Sequence, residues 1–270
     1  MSKIAQALSI AGSDSGGGAG IQADLKTFQE RGVFGTTAIT AITAQNTTGV
    51  FDIHPIPLQT IDSQIKAIAD DFDIKAFKIG MLGNVEVIQC VSKNIQKYDF
   101  GYFVLDPVMI SKGGVSLIEQ NAIEALKNEL IPFCDIITPN IHEAKALTNI
   151  EIIDKKSAKK AALILQEMGA KVVVIKGGYT DDSSSTLCED WVFTQDEEFT
   201  LSSPRFDTAQ THGTGCTFSA CITAELAKGN SIKQSILLAK EYISAAISHP
   251  LNIGAGHGPT NHWAYAHKNQ

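Results

Sequence analysis

The sequence predicts an α/β protein with a largely parallel central sheet, and three observations carry this prediction. Short apolar runs alternate with segments of helical periodicity almost from end to end, as in repeated βα units. Several runs are apolar at every position, which is typical of strands buried on both faces of a parallel sheet. The chain also has no long linker, internal repeat or charge run. We therefore expect one domain covering residues 1–270.

The predicted strands are the apolar runs, and most are followed by a segment whose apolar positions recur at helical spacing. We place strands at Ala7–Ala11, Thr37–Thr43, Ala76–Ile79, Phe103–Asp106, Ile136–Thr138 and Val172–Lys176. We place helices at Ala19–Glu30, Thr60–Asp71, Val85–Lys97, Asn121–Leu130, Ile141–Leu147, Ser157–Met168, Cys216–Lys228 and Ser231–Ser248. The segment Leu187–Leu201 has aromatic residues at alternating positions, which predicts an antiparallel hairpin near the sheet edge.

Charge and composition narrow the classes of function. The formal net charge is -7, whereas surfaces that bind nucleic acid or anionic membranes need a basic stripe. We therefore expect a small-molecule substrate and no nucleic-acid or membrane partner. The first apolar run is short and broken by Gln6 and Ser9, so we predict neither a signal peptide nor a membrane span. Five cysteines without a C-x-x-C pair favour a reducing compartment, and hence a cytoplasmic protein.

A glycine-rich turn at residues 12–20 follows the first strand and opens a helix. Ligands of open α/β sheets bind beyond the carboxyl ends of the strands, so this turn is a candidate site. It contains a loose match to the dinucleotide fingerprint at Gly18–Ala23, but the second strand does not end in the acid that would hold a ribose. The sequence has no G-x-x-x-x-G-K-[ST], which excludes a P-loop. The turn could equally be structural.

A second glycine-rich turn, Thr211-His-Gly-Thr-Gly-Cys216, comes immediately before a predicted helix. The free amides of Gly213, Thr214 and Gly215 would form an anion hole aimed at developing phosphate charge. Cys216 falls in the first helical turn, where the helix dipole lowers a thiol pKa, so its thiolate could take a proton from an alcohol. Cys216 could equally be a small core residue at a tight turn.

Two acids and one lysine follow other strands. Asp106 ends the fourth apolar run, and Glu143 comes just after Thr138-Pro-Asn140. Carboxylates at strand ends commonly hold magnesium, directly or through water. Lys176 could place a cation and free amides near phosphate. As isolated residues, the acids are more often helix caps or solvated, and such a lysine is more often exposed.

Assembled, these segments resemble the hydroxymethylpyrimidine and phosphomethylpyrimidine kinases of thiamine biosynthesis, a branch of the ribokinase-like superfamily that also contains pyridoxal kinases. The resemblance spans nearly the whole chain. The motifs that carry it are Ile10-Ala-Gly-Ser-Asp14, Gly17-Gly-Ala-Gly-Ile-Gln-Ala-Asp-Leu-Lys-Thr-Phe28, Thr40-Ala-Ile-Thr-Ala-Gln-Asn-Thr47, Lys78-Ile-Gly-Met-Leu82, Asp106-Pro-Val-Met109, Ile137-Thr-Pro-Asn140, Lys176-Gly-Gly178 and His212-Gly-Thr-Gly-Cys216.

The resemblance implies a three-layer α/β/α ribokinase-like fold with a largely parallel central sheet, and it implies ATP and Mg²⁺ as cofactors. It implies two successive phosphoryl transfers, the first to the hydroxymethyl oxygen of 4-amino-5-hydroxymethyl-2-methylpyrimidine. The second converts the monophosphate to the diphosphate. It also implies a homodimer.

The resemblance further implies a role for each site residue. The pyrimidine would be hydrogen-bonded by Gln45 in a pocket that Gly12, Asp24 and Met81 help to line. The magnesium and phosphate side would comprise Asp106, Glu143, Asn140 and Lys176. The anion hole would comprise Gly213, Thr214 and Gly215, with Cys216 where many sugar kinases of the superfamily carry an Asp base.

One comparison separates close relatives. The dual-activity pyridoxal kinases of this branch carry a second cysteine after the Val-Met pair and lack the substrate glutamine. Here Ser111 stands after Val108-Met-Ile, and Gln45 is present, so a pyrimidine substrate is favoured over pyridoxal. A sugar or nucleoside kinase would be expected to carry Asp at position 216. A non-catalytic ligand-binding relative would be expected to have lost Cys216, the glycine turn and Asp106.

Overall fold

The computed structural model describes residues 4–111, 113–177 and 186–266, and its strands form one nine-stranded sheet. The strands are β1 (Gln6–Asp14), β2 (Phe34–Asn46), β3 (Gly49–Pro55), β4 (Ala76–Ile79), β5 (Tyr102–Leu105), β6 (Ile136–Ile137), β7 (Val172–Lys176), β8 (Leu187–Phe193) and β9 (Glu198–Pro204). Their spatial order is β3-β2-β1-β4-β5-β6-β7-β8-β9. All pairings from β2 across to β7 are parallel, whereas β3, β8 and β9 join by antiparallel pairings.

Helices cover both faces of the sheet, which confirms the predicted three-layer fold. They are α1 (Gly20–Glu30), α2 (Leu58–Asp71), α3 (Val85–Lys97), α4 (Ala122–Glu129), α5 (Ile141–Thr148), α6 (Lys155–Glu167), α7 (Thr214–Ala227) and α8 (Ile232–Ser248). Helices α2 to α6 pack on one face, and α1, α7 and α8 pack on the other. Among the described residues, no helix is long and apolar enough to cross a membrane.

The continuously apolar strands divide their side chains between two cores. In β7, Val173 and Ile175 belong to the core beneath α2 to α6, while Val172 and Val174 belong to the core beneath α7 and α8. Successive side chains of a strand point to opposite faces, so a strand covered on both sides must be apolar at every position. This explains why the buried strands could be recognised from apolar runs alone.

The predicted parallel strands, the helices and the hairpin at Leu187–Leu201 are confirmed, with small shifts at their ends. Two differences concern the opposite edge of the sheet. Strand β2 is longer than predicted, and β3 was not predicted at all. Most of β3 is exposed, including Phe51 at 68% of its surface, and its alternation of apolar and polar residues covers only Phe51-Asp-Ile-His54 before Pro55. The polar loop at Asp181–Ser185 lies outside the described residues.

Candidate active site

The carboxyl ends of β5 and β7 bring Asp106 and Lys176 into contact beneath the second glycine turn. Nζ of Lys176 lies 3.0 Å from Oδ1 of Asp106. A Cβ added to Gly215 would lie 3.1 Å from Nζ of Lys176 and 3.7 Å from Oδ2 of Asp106. Residues predicted separately from three parts of the chain therefore meet at one point, and Gly215 leaves room for the lysine.

Asp106 is an ionised carboxylate in a buried position. Burial alone would raise the pKa of its carboxyl group, but the ammonium groups of Lys176 and Lys78 outweigh burial and hold the pKa below its usual value. The hydroxyls of Thr138 and Ser219 donate to its two oxygens at 3.2 and 3.3 Å. Burial likewise lowers the pKa of Lys176, but Asp106 and Glu143 raise it more, so Lys176 remains an ammonium. The expectation that this strand-end lysine is exposed is wrong, because only 17% of its side chain is accessible.

Glu143 and Asn140 form a capping box at the start of α5. The backbone N–H of Glu143 donates to Oδ1 of Asn140, and the N–H of Asn140 donates to Oε2 of Glu143, each at 2.8 Å. Burial raises the pKa of Glu143 to about 7, in spite of the attraction of Lys176. The helix-cap interpretation of Glu143 is therefore correct, and its carboxyl group also faces the Asp106–Lys176 pair.

The acidic residues of this cluster suit a hard divalent cation that is only partly held by protein. Among the described residues, no group of three or more His, Cys, Asp and Glu side chains could enclose a metal. Mg²⁺ usually keeps several waters and takes one or two carboxylates together with substrate phosphates. Asp106 and Glu143 supply that number, and the raised pKa of Glu143 marks a place where a further positive charge would be stabilising.

Cys216 lies in the first turn of α7, as predicted, but its predicted thiolate character is wrong for the protein as it stands. Burial raises the pKa of this thiol to about 11, which outweighs the effect of the Lys78 ammonium and of the N–H that Gly20 directs at the sulfur. The helix dipole stabilises a thiolate at this position by about 0.3–1 kcal/mol, whereas burial near apolar and anionic neighbours destabilises the thiolate by more. The thiol is therefore neutral near pH 7.

The two glycine turns pack against each other. Gly213 has φ of +81° and begins α7, and a Cβ there would lie 1.7 Å from the carbonyl oxygen of Gly18. The first turn of α7 leaves the amides of Gly215 and Cys216 without intrahelical partners, as at any helix start. The N–H of Thr214 donates weakly to the carbonyl of Thr211 at 3.3 Å. The two amides that follow Thr214 are therefore the ones at this turn left without an intrahelical partner.

The amides of the first glycine turn are already satisfied by a carboxylate of the chain. Oδ1 of Asp14 accepts the N–H of Gly16 at 2.8 Å, and its Oδ2 accepts those of Gly18 and Ala19 at 3.0 and 2.8 Å. These three amides therefore have a structural role, and a ligand role for the rest of the turn stays a prediction. A strand-end Asp followed at once by a glycine turn was the sequence signal for this arrangement.

The four residues predicted to line the pyrimidine pocket differ in their surroundings. The Met81 side chain fills the space beside Gly12, where an added Cβ would lie 2.6 Å from its methyl carbon. Gln45, at the end of β2, contacts Thr43 and His212 at 3.3 Å each. Asp24 is completely buried and accepts hydrogen bonds from Ser9 and Lys78 at 2.6 and 2.7 Å, and its place at the pocket stays a prediction.

His212 is a residue whose part in the site the sequence did not reveal. Its Nε2 lies 2.7 Å from Oδ2 of Asp14, and its main chain immediately precedes Gly213. It lines a small pocket with Gln45 and Ser111. The sequence placed His212 and Asp14 in separate motifs, and only the fold brings them together.

Comparison with known proteins places the chain in a family. A family model described as phosphomethylpyrimidine kinase matches residues 14–261. A hydroxymethylpyrimidine/phosphomethylpyrimidine kinase from Haemophilus influenzae is 63% identical over 98% of this chain and 99% of its own length. A protein of the same name from Helicobacter pylori is 53% identical over 96% of each chain. An ADP complex of Bacillus subtilis pyridoxal kinase is 40% identical, with a TM-score of 0.89 over 98% of this chain and 99% of that one. The chain therefore belongs to the phosphomethylpyrimidine kinase family.

Proposed function

We propose that this protein transfers phosphate from ATP to the hydroxymethyl oxygen of 4-amino-5-hydroxymethyl-2-methylpyrimidine, and then to the monophosphate to form the diphosphate. The observation that carries this proposal is the contact between Gln45 and His212, the residue that precedes the glycine turn. A carboxamide able to bind an aminopyrimidine thus stands beside amides able to bind phosphate.

The chemistry asked of the chain is mainly positioning and charge stabilisation. The amides of Gly215 and Cys216 would stabilise negative charge on the transferred group, and the Lys176 ammonium beneath Gly215 would add to that effect. Cys216 would accept the proton of the substrate hydroxyl in its ionised form, and because burial raises its pKa to about 11 the thiol must first lose its own proton. Mg²⁺, held by Asp106 and Glu143, would neutralise phosphate charge when bound.

A pyrimidine substrate is favoured over pyridoxal by two residues that line one pocket. Gln45 is the carboxamide that the resemblance assigns to the pyrimidine, and Ser111 stands where dual-activity pyridoxal kinases carry their second cysteine. Without that thiol, the chain has no group at position 111 to trap an aldehyde. The relatives from Haemophilus influenzae and Helicobacter pylori, at 63% and 53% identity, carry the pyrimidine kinase name, whereas the Bacillus subtilis pyridoxal kinase is 40% identical. The homodimer, the cytoplasmic location and the single domain stay predictions.

A coupled ADP-release assay with the hydroxymethylpyrimidine, pyridoxal and ribose tests the proposed function. We expect the pyrimidine to give the highest kcat/KM by a wide margin. A Lys176→Met variant purified in the same way serves as the blank for contaminating kinases. Higher kcat/KM for pyridoxal or ribose would contradict the proposal, and ADP release from none of the three would favour a non-catalytic binding protein.

A further inference from the structure

Hydrogen bonds connect Asp14, His212, Gln45 and Thr43 in a continuous chain beside the glycine turns. Nε2 of His212 lies 2.7 Å from Oδ2 of Asp14 and 3.3 Å from Nε2 of Gln45. The other end of the Gln45 carboxamide, Oε1, lies 3.3 Å from Oγ1 of Thr43. Both ends of this amide are therefore in contact with side chains able to fix its orientation.

The hydrogen on His212 can be located by counting donors and acceptors. Burial alone would raise the pKa of Asp14, but the hydrogen bonds from His212 and from the backbone amides hold it below its usual value. The carboxylate is therefore ionised and can only accept. Nε2 of His212 must carry a hydrogen and donate it to Asp14. That nitrogen then has no lone pair with which to accept an N–H of Gln45.

The same count at Thr43 gives a consistent answer. Its hydroxyl has one hydrogen, which it donates to the carbonyl oxygen of Ser13 at 2.8 Å. Toward Gln45 the hydroxyl can only accept, so an N–H of the amide belongs beside Thr43. The amide oxygen then lies beside the N–H of His212. The amide nitrogen of Gln45 therefore lies beside Thr43 and its oxygen lies beside His212, which exchanges the positions of Nε2 and Oε1. The two atoms have nearly the same shape, so only their hydrogen-bond partners distinguish them.

We propose that His212 and Thr43 are positioning residues that lock the Gln45 carboxamide in one orientation, so that the pocket selects 4-aminopyrimidines over 4-oxopyrimidines. The inference rests on the proposed function, in which Gln45 faces the pyrimidine ring. A 4-aminopyrimidine presents a ring-nitrogen acceptor beside an amine donor, and a 4-oxopyrimidine presents an N–H donor beside a carbonyl acceptor. A freely rotating amide matches either pattern, whereas a locked amide matches one.

Asp14, Thr43 and His212, the residues that hold the Gln45 carboxamide, are buried and bonded to the main chain. Asp14, Thr43 and His212 are each less than a tenth exposed. The N–H of His212 donates to the carbonyl of Gly258 at 3.0 Å, and its carbonyl accepts the N–H of Thr260 at 3.2 Å. These bonds fix the main chain of His212, and the 2.7 Å contact with Asp14 orients the imidazole on it. Rotating the Gln45 amide by 180° would place two donors against each other at His212.

Strand β2 offers a matched pair of variants to test the lock. Thr43 and Thr36 are both buried, and each hydroxyl donates to a main-chain carbonyl of β1, at 2.8 and 3.0 Å. Only Thr43 also contacts Gln45. Each of Thr43→Val and Thr36→Val therefore loses an equivalent hydrogen bond to β1. Only Thr43→Val also loses the contact with the Gln45 carboxamide.

The measurement is the dissociation constant of the 4-oxo analogue divided by that of the hydroxymethylpyrimidine, both obtained by isothermal titration calorimetry. We expect Thr43→Val to reduce this ratio about tenfold, since one of two locking contacts is lost, and Thr36→Val to leave it unchanged. His212→Phe should reduce it at least as much. Where His212→Phe does not fold, the threonine pair alone decides.

Two results would overturn the lock. One is an unchanged ratio in Thr43→Val, and the other is equal weakening of both ligands, as expected of a purely structural residue. Gln45→Met separates the lock from the proposed function. If Gln45→Met binds the aminopyrimidine as tightly as the parent does, the ring contact itself is absent and the proposed function has lost its carrying observation.

Discussion

Nζ of Lys176, at the end of β7, lies 3.0 Å from Oδ1 of Asp106, at the end of β5, in a position where neither charge is exposed enough to be solvated freely. Removing one partner of a buried pair leaves an uncompensated charge, which is commonly worth about 3–5 kcal/mol. The pair is therefore a structural link between two strands, and it lies beneath the amides proposed to bind phosphate.

Asp106→Asn and Glu143→Gln should each lower kcat and raise the magnesium concentration needed for half-maximal rate, by roughly tenfold or more. Both changes remove a carboxylate and keep the size of the side chain. The measurement is a magnesium titration at saturating ATP and pyrimidine, with Glu86→Gln, an exposed residue of α3, as the control. An unaltered magnesium dependence in both variants would show that Asp106 and Glu143 do not hold the metal.

Gln45→Met should raise the KM for the pyrimidine by about ten- to a hundredfold and leave the KM for ATP unchanged. The reason is that a buried ring amine would lose its acceptor, at a cost on the order of 1–3 kcal/mol. Initial rates with each substrate varied in turn give both constants. A pyrimidine KM equal to that of the parent would remove Gln45 from the pocket.

Cys216→Ser should reduce kcat by about 10²–10⁴-fold with little change in KM, because a proton acceptor acts mainly in the transition state. Since burial raises the pKa of this thiol to about 11, kcat of the parent should also rise with pH between pH 7 and 9. The serine variant should lack that rise. Cys216→Asp, which restores a base of the kind found in related sugar kinases, should recover part of the rate. Nearly full activity in Cys216→Ser would leave the catalysis to the anion hole alone.

Gly213→Ala should destabilise the protein far more than Gly32→Ala. Both glycines have positive φ, of +81° and +71°, so both substitutions incur a backbone cost of about 1–2 kcal/mol. An added Cβ at Gly32 meets nothing within 4 Å, whereas at Gly213 it would lie 1.7 Å from the Gly18 carbonyl oxygen. Urea unfolding of the two variants measures the difference, and equal destabilisation would mean that the two glycine turns can separate at little cost.

His262 should make stability fall in acid. Burial, and to a smaller extent Lys26, lowers the pKa of this imidazole from 6.5 to about 4. The unfolded chain therefore binds more protons than the folded one between about pH 6.5 and 4, and stability drops as the pH falls through this window, by on the order of 3 kcal/mol. His262→Gln can still bond to Thr217 but does not titrate, so it should lose that part of the pH dependence. His54→Gln, at an exposed position, is the control and should keep the pH dependence of the parent. The measurement is the urea midpoint of each protein at pH 7 and pH 5. The same pH dependence in His262→Gln as in the parent would show that His262 is not responsible for the loss of stability.

The parts of the fold that the sequence predicted are those whose burial leaves a pattern. β7 is apolar from Val172 to Ile175 because it is covered on both faces, while β3 was missed because it is mostly exposed and its alternation is short. Asp106 and Lys176 were predicted as strand-end residues, but their contact depends on the spacing of β5 and β7 in the sheet. The pKa of Cys216 was predicted in the wrong direction because the helix start is visible in sequence and the depth of burial is not. For the same reason, the contact between Asp14 and His212, which are 198 residues apart, required the fold.

The most direct test of the proposed activity is to follow the phosphorus of ATP into products by ³¹P NMR, with the pyrimidine limiting and magnesium present. A single site that uses Gln45 for the ring and the Gly213–Cys216 turn for phosphate should first give a phosphomonoester signal. That signal should then be replaced by the two coupled resonances of a diphosphate, with two ADP formed per pyrimidine. A reaction that stops at the monoester after one ADP, or ADP formation without any new phosphorus signal, would contradict it.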